Sequence, residues 1–123
     1  MGKKVLICDD ESYILEAVQY VVRRSGFEPL LAQNGEEALT ITRKEKPDMI
    51  ILDIIMPKIN GFDVCRQLKS DPVTRKIYIA MLTARGYESD SLTSQQCGAD
   101  EFITKPFSPQ KLQQRLYEIL GNN

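Results

Sequence analysis

The sequence predicts an α/β fold: five strands alternating with five helices, wound as a (βα)5 parallel sheet covered on both faces. Three observations predict it. The apolar runs at residues 4–8, 48–53 and 77–82 are continuous, as in strands buried on both sides. The segments between them carry apolar residues at helical spacing. The two patterns alternate along 123 residues, a length that fits one domain with a sizeable core.

Each element has its own warrant. Residues 4–8 are rich in β-formers and run into Asp9-Asp10. A helix is expected over 11–25, with Ile14, Val18, Val21 and Val22 on one stripe, Arg23 and Arg24 in the last turn and Gly26 as a stop. Residues 27–32 read as a second strand, with Pro29 marking a sheet edge. Asn34 and Glu37 make a cap for a helix reaching about residue 45. The third strand, 48–53, ends in Asp53. A helix over 61–70 places Phe62, Cys65 and Leu68 together, and Asp71-Pro72 breaks it. Residues 77–82 form the fourth strand. A fourth helix is expected over 87–97, though Leu92 is its only large aliphatic residue, and Gly98 ends it. Residues 101–104 make a short fifth strand. Ser108 caps a last helix, Pro109 opens it, and Leu112, Leu116 and Ile119 face inward.

Composition excludes several functions. With 16 basic and 17 acidic residues there is no basic excess of the kind that marks a nucleic-acid binder. The chain has no His, which removes His-based catalysis and His metal sites. Cys8, Cys65 and Cys97 are odd in number and widely spaced, forming neither a disulfide framework nor a zinc pattern. Reduced thiols, no membrane-spanning run and no signal peptide lead to the expectation of a soluble cytoplasmic protein. Cys8 reads as a small core hydrophobe. Tyr13, Tyr20 and Tyr117 read as rim residues without a role.

The strand ends carry the chemistry. Open α/β sheets build sites at the carboxyl ends of their strands. Here those ends are Asp9-Asp10, Asp53, Thr83 and Lys105-Pro106. Any one of these residues alone is an ordinary turn, cap or solvated residue, but together they bring three carboxylates, a hydroxyl and an ammonium to one rim. Carboxylates so close need a compensating charge, and a hard divalent cation supplies it.

These residues resemble the receiver domain of two-component response regulators. The resemblance rests on Asp9-Asp10, on Asp53 followed by Met56-Pro57 and Gly61, on Thr83-Ala84, and on Lys105-Pro106-Phe107. Thirty residues separate Asp53 from Thr83 and 22 separate Thr83 from Lys105, as in that family. The resemblance covers residues 3–120. It implies a flavodoxin-like strand order of 2-1-3-4-5 and a single receiver domain over 1–123 with no output domain in this chain.

The resemblance also implies roles. Asp53 would be the phosphoacceptor. Asp9, Asp10, Asp53 and the Ile55 carbonyl would hold Mg²⁺ or Mn²⁺. Thr83, Ala84 and Lys105 would bind the phosphoryl oxygens, and Pro106 would be a cis-proline. Thr83 and Phe102 would form the switch; Phe102 stands where tyrosine is commoner, so switching would work by packing alone. Ile55 and Arg85 would tune the phosphoryl lifetime, and Ile55, unable to orient a hydrolytic water, favours slow loss. The face of the expected fourth helix, fifth strand and last helix would be the output surface. The implied partners are a histidine kinase or phosphotransfer protein, a downstream protein target and, on phosphorylation, a second copy of the chain. Direct nucleic-acid or membrane binding by this chain is not expected.

Rival functions fit less well. An aspartate-nucleophile phosphatase wants a second acid two residues after the nucleophile, where Ile55 stands. A flavodoxin-like nucleotide carrier wants a small-residue phosphate loop after the first strand, where Asp9-Asp10-Glu11 stands instead. A receiver that had lost phosphorylation would not be expected to keep the full Asp, Thr and Lys set. The chain is thus expected to be a phosphorylation-dependent switch and not an enzyme in the usual sense.

Overall fold

Five strands pair in parallel in the order 2-1-3-4-5 in a computed structural model, which describes residues 2–56, 59–83, 97–105 and 107–121. The strands are β1 (Lys4–Cys8), β2 (Glu28–Ala32), β3 (Met49–Asp53), β4 (Tyr78–Thr83) and β5 (Glu101–Thr104). Four helices are described: α1 (Ser12–Arg24), α2 (Gly35–Glu45), α3 (Gly61–Ser70) and α4 (Pro109–Leu120). The expected helix over 87–97 lies outside the described residues except for Cys97. Pro29 does sit on an edge strand, because β2 pairs only with β1.

Two apolar layers hold the sheet. On one face Leu6, Cys8, Ile50, Leu52, Ile79 and Met81 pack with Ala38 and Leu39 of α2 and Phe62, Cys65 and Leu68 of α3. On the other, Val5, Ile7, Met49, Ile51, Ala80 and Leu82 pack with α1 and α4. Both faces are covered, which is why these strands read as continuous apolar runs. In α4 the fully buried set is Leu112, Leu116 and Leu120 rather than Ile119, because a spacing of four keeps one stripe on the sheet while Ile119 falls half-buried at its margin.

Local signals set the helix ends. Asn34 Oδ1 accepts from Glu37 N at 2.9 Å, and Glu37 Oε1 accepts from Gln33 N at 2.9 Å. Asn60 Oδ1 accepts from Asp63 N at 3.0 Å, and Ser108 Oγ from Lys111 N at 3.3 Å. Gly26 and Gly98 adopt φ of +91° and +82°, which only glycine takes without strain. Below the sheet, Lys69 Nζ donates to the carbonyls of Arg75 (3.1 Å) and Ile77 (2.7 Å) and to Asp100 Oδ2 (2.7 Å). The same Asp100 oxygen accepts from Ile79 N at 2.8 Å, so one lysine ties α3 to the entrances of β4 and β5.

Strand order positions the site. The chain runs outward from β1 to β2, then returns to place β3 on the other side of β1. The crevice left at that reversal lies at the carboxyl ends of β1, which Asp9 follows, and β3, which ends at Asp53. Leu116→Ala, at a fully buried position, is expected to cost about 3 kcal/mol in urea unfolding. Val73→Ala, at a residue 67% exposed, should stay within about 0.5 kcal/mol of the wild type.

Candidate functional site

Backbone register brings the predicted residues together. Cys8 pairs with Leu52, Asp53 with Leu82 and Thr83 with Thr104. Asp9, Asp53, Thr83 and Lys105 therefore leave adjacent strands at one rim. Lys105 N donates to Thr83 O at 2.8 Å, which fixes where the lysine departs from β5.

The end of β3 is gripped from the next helix. Gly61 N donates to Ile54 O at 2.7 Å. A Cβ on Gly61 would come within 2.9 Å of Ile54 Cα and 3.0 Å of the Asp53 carbonyl carbon. Glycine at this position is required by close approach of two backbones.

Charge is concentrated and mostly dry. Asp9 and Asp53 are buried, and Asp10 is exposed. One oxygen from each of these three lies within 4.8 Å of the other two. Lys105 Nζ lies 3.1 Å from Asp9 Oδ2 and 3.3 Å from Asp53 Oδ1. Asp9 Oδ1 accepts from Glu11 N at 2.9 Å. Asp9 Oδ2 is buried and accepts no well-directed hydrogen bond among the described residues; only the ion pair with Lys105 compensates it.

Burial pushes the Asp53 carboxyl up to about 6, Asp9 adds to the rise, and Lys105 opposes it. Burial likewise raises Asp9, against the pull of the Glu11 amide and Lys105. Burial works against the Lys105 ammonium, but its ion pairs with Asp53 and Asp9 outweigh that and hold it above its ordinary range. One ammonium thus leaves the two buried acids undercompensated. The donor set of carboxylate oxygens, an under-bonded Asp9 oxygen and an open Asp10 side fits a hard divalent cation such as Mg²⁺.

The other predicted positions divide. Ile55 is 54% exposed at the mouth of the site. Phe102 is half-buried against the face that carries α2 and α3, and lines a cavity of about 340 Å³ with Thr104, Phe107 and Lys111. Ala84, Arg85, Pro57 and Pro106 lie outside the described residues. Cys8, with its thiol pushed up to about 12 by burial and then by Asp9 and Asp53, is an inert core residue, its Sγ 3.3 Å from Met56 Sδ. One residue at the site had no expected role: Glu11 Oε1 lies 3.4 Å from Lys105 Nζ. Its adjacency to Asp9-Asp10 was the available signal.

A family model for the response regulator receiver domain matches residues 5–117. The chain belongs to that family. Over 120 residues it is 43% identical to the alkaline phosphatase synthesis transcriptional regulatory protein PhoP of Bacillus subtilis, covering 98% of this chain and 49% of that protein. It therefore spans about half the length of the curated relatives it matches. A putative response regulator from Chloroflexus aurantiacus superposes with a TM-score of 0.91 at 37% identity, covering 98% of both chains. The chemotaxis response regulator CheY4 of Vibrio cholerae superposes with 0.90 at 30% identity, covering 98% of this chain and 100% of that one. The strand order and family expected from the sequence hold. Receiver domains are two-component signalling switches rather than conventional enzymes: histidine kinases phosphorylate them, and their acidic pocket binds Mg²⁺. No helix among the described residues is long and apolar enough to cross a membrane.

The raised Asp53 sets a pH dependence. An unfolded aspartate titrates near 4, so below that pH Asp53 is neutral in both states and costs the fold nothing. As pH rises through about 6 the folded receiver must carry a disfavoured charge, and stability is lost. In EDTA, Asp53→Asn should match the wild type near pH 4 and exceed it by about 2 kcal/mol at pH 7.5. Urea unfolding of both proteins across that range checks the sign.

Proposed function

We propose that this receiver accepts a phosphoryl group on Asp53 from a histidine kinase or phosphotransfer protein and thereby changes the surface it offers a protein partner. The observation that carries this is the convergence of Asp9, Asp10, Asp53 and Lys105 on one rim, with Lys105 bridging the two buried acids. Asp53 would attack phosphorus through a carboxylate oxygen. A P–O bond forms as the donor's P–N bond breaks, and the imidazole leaves with the electron pair.

Such transfer depends on positioning and charge neutralisation more than on covalent help from the protein. Asp9, Asp10, Asp53 and the Ile55 carbonyl would hold Mg²⁺, which when bound supplies positive charge at the transferring group. Lys105 would move from its carboxylates to a phosphoryl oxygen. The Thr83 hydroxyl and the Ala84 amide would take another. Lys105 also holds the Asp53 charge in place, because without it burial would leave that carboxyl still more easily protonated.

The response would run through Thr83 and Phe102 to the surface of β5 and α4. There Arg115 makes two bonds to Glu101, at 2.9 and 2.6 Å, and one to the Tyr78 hydroxyl at 3.1 Å. That face supports a protein target or a second phosphorylated copy as partner. Arg85 belongs with Ile55 as a tuner of phosphoryl lifetime. With a net charge of −1, the chain offers little general attraction for nucleic acid. The cytoplasm is the compartment that suits a kinase-fed switch with three free thiols.

Acetyl phosphate with Mg²⁺ should add about 80 Da to the wild type by intact mass, and nothing to Asp53→Asn or in EDTA. An unmodified wild type would overturn the reading. Ile55 cannot orient a hydrolytic water, so the adduct should last minutes or longer without a phosphatase, and Ile55→Asn should shorten it. A wild-type lifetime of seconds would contradict that assignment.

A further inference from the structure

Glu11 occupies the N-cap position of α1, where a side chain ordinarily accepts from the amides of the first turn. Its side chain makes no such bond. One oxygen, Oε1, accepts from Lys105 Nζ at 3.4 Å, and the other, Oε2, accepts from the Tyr13 hydroxyl at 2.9 Å. Lys105 is therefore shared among three carboxylates. Asp9 and Asp53 are buried on its inner side, whereas the Glu11 side chain is 43% exposed on its outer side.

We propose that Glu11 is a positioning residue for phosphoryl binding: it holds the Lys105 ammonium in the resting site and yields it when a phosphoryl group arrives on Asp53. This rests on the reading of Asp53 as phosphoacceptor. The three N–H groups of the ammonium suit three acceptors, and a phosphoryl oxygen must displace one of them. Asp9 is held by an additional backbone amide, so the half-exposed Glu11 is the acceptor most easily given up. Its negative charge also opposes an incoming anion, so Glu11 restrains the site twice, through Lys105 and through its own field. The same negative field favours a cation, so removal of the charge should strengthen anion binding without strengthening Mg²⁺ binding. Removal should leave folding intact, because the side chain caps nothing.

The test is calorimetric titration of beryllofluoride, a phosphoryl mimic, at saturating Mg²⁺, with Mg²⁺ titrated separately. Glu11→Gln and Glu11→Ala should bind beryllofluoride about threefold more tightly than the wild type, the size of a lost half-exposed ion pair, while binding Mg²⁺ no more tightly. Acetyl phosphate labelling followed by intact mass should favour Gln over Glu at position 11 less in a Lys105→Met background than with Lys105 present, because only the field of the lost charge remains. Unchanged or weaker beryllofluoride binding in Glu11→Gln overturns the proposal. So does a gain that persists in full without Lys105, since the effect would then be charge alone. A wild type that binds beryllofluoride while Glu11→Gln gains nothing defeats this inference only. A wild type that binds none defeats the assignment of Asp53, and this inference with it.

Discussion

Two carboxylates and one ammonium, buried together at the ends of three strands, form the constraint on which the rest of the molecule turns. Asp9 and Asp53 cannot be dried without compensation, and Lys105 supplies only one positive charge between them. The remaining deficit is one of positive charge, which a bound cation would reduce.

The apolar body makes that arrangement affordable to hold. Strands covered on both faces by two separate layers leave little freedom at their ends, so the carboxylates are aimed by a rigid sheet rather than by a loop. Gly61 extends this control. With no side chain it lets the start of α3 press against the backbone of Asp53 and Ile54, and the Gly61 amide fastens Ile54 O. Asp53 is thereby coupled to a helix whose far end, through Lys69, reaches the entrances of β4 and β5.

Much of this was legible in the residue order. Continuous apolar runs revealed a parallel sheet because burial on both faces leaves no alternation to find. The polar residues at the run ends then had to share a rim, and the resemblance to the receiver family implied their roles. The failures have physical causes as well. Leu120 was not expected in the core, yet a spacing of four puts it on the stripe with Leu112 and Leu116, while Ile119 packs half-buried at its margin. Glu11 drew no role because a charged residue at a helix start is ordinary, and its link to Lys105 spans 94 residues of sequence. Ion pairs between distant strand ends leave no periodic trace. Ala84, Arg85 and residues 87–96, which carry part of the expected phosphoryl-binding set and of the expected output surface, fall outside the described residues.

β5 has only four residues and pairs with β4 alone. Ladder bonds over so short a length hold a strand weakly, and local opening concentrates where few such bonds and little apolar burial exist. What fastens it is a lysine at each end: Lys69 grips Asp100 below, and Lys105 grips the acids above. This side of the sheet is thus pinned by ionic rivets as well as by the packing of Phe102 and Ile103. Salt therefore loosens the molecule unevenly, working on the β5 edge before it reaches the centre.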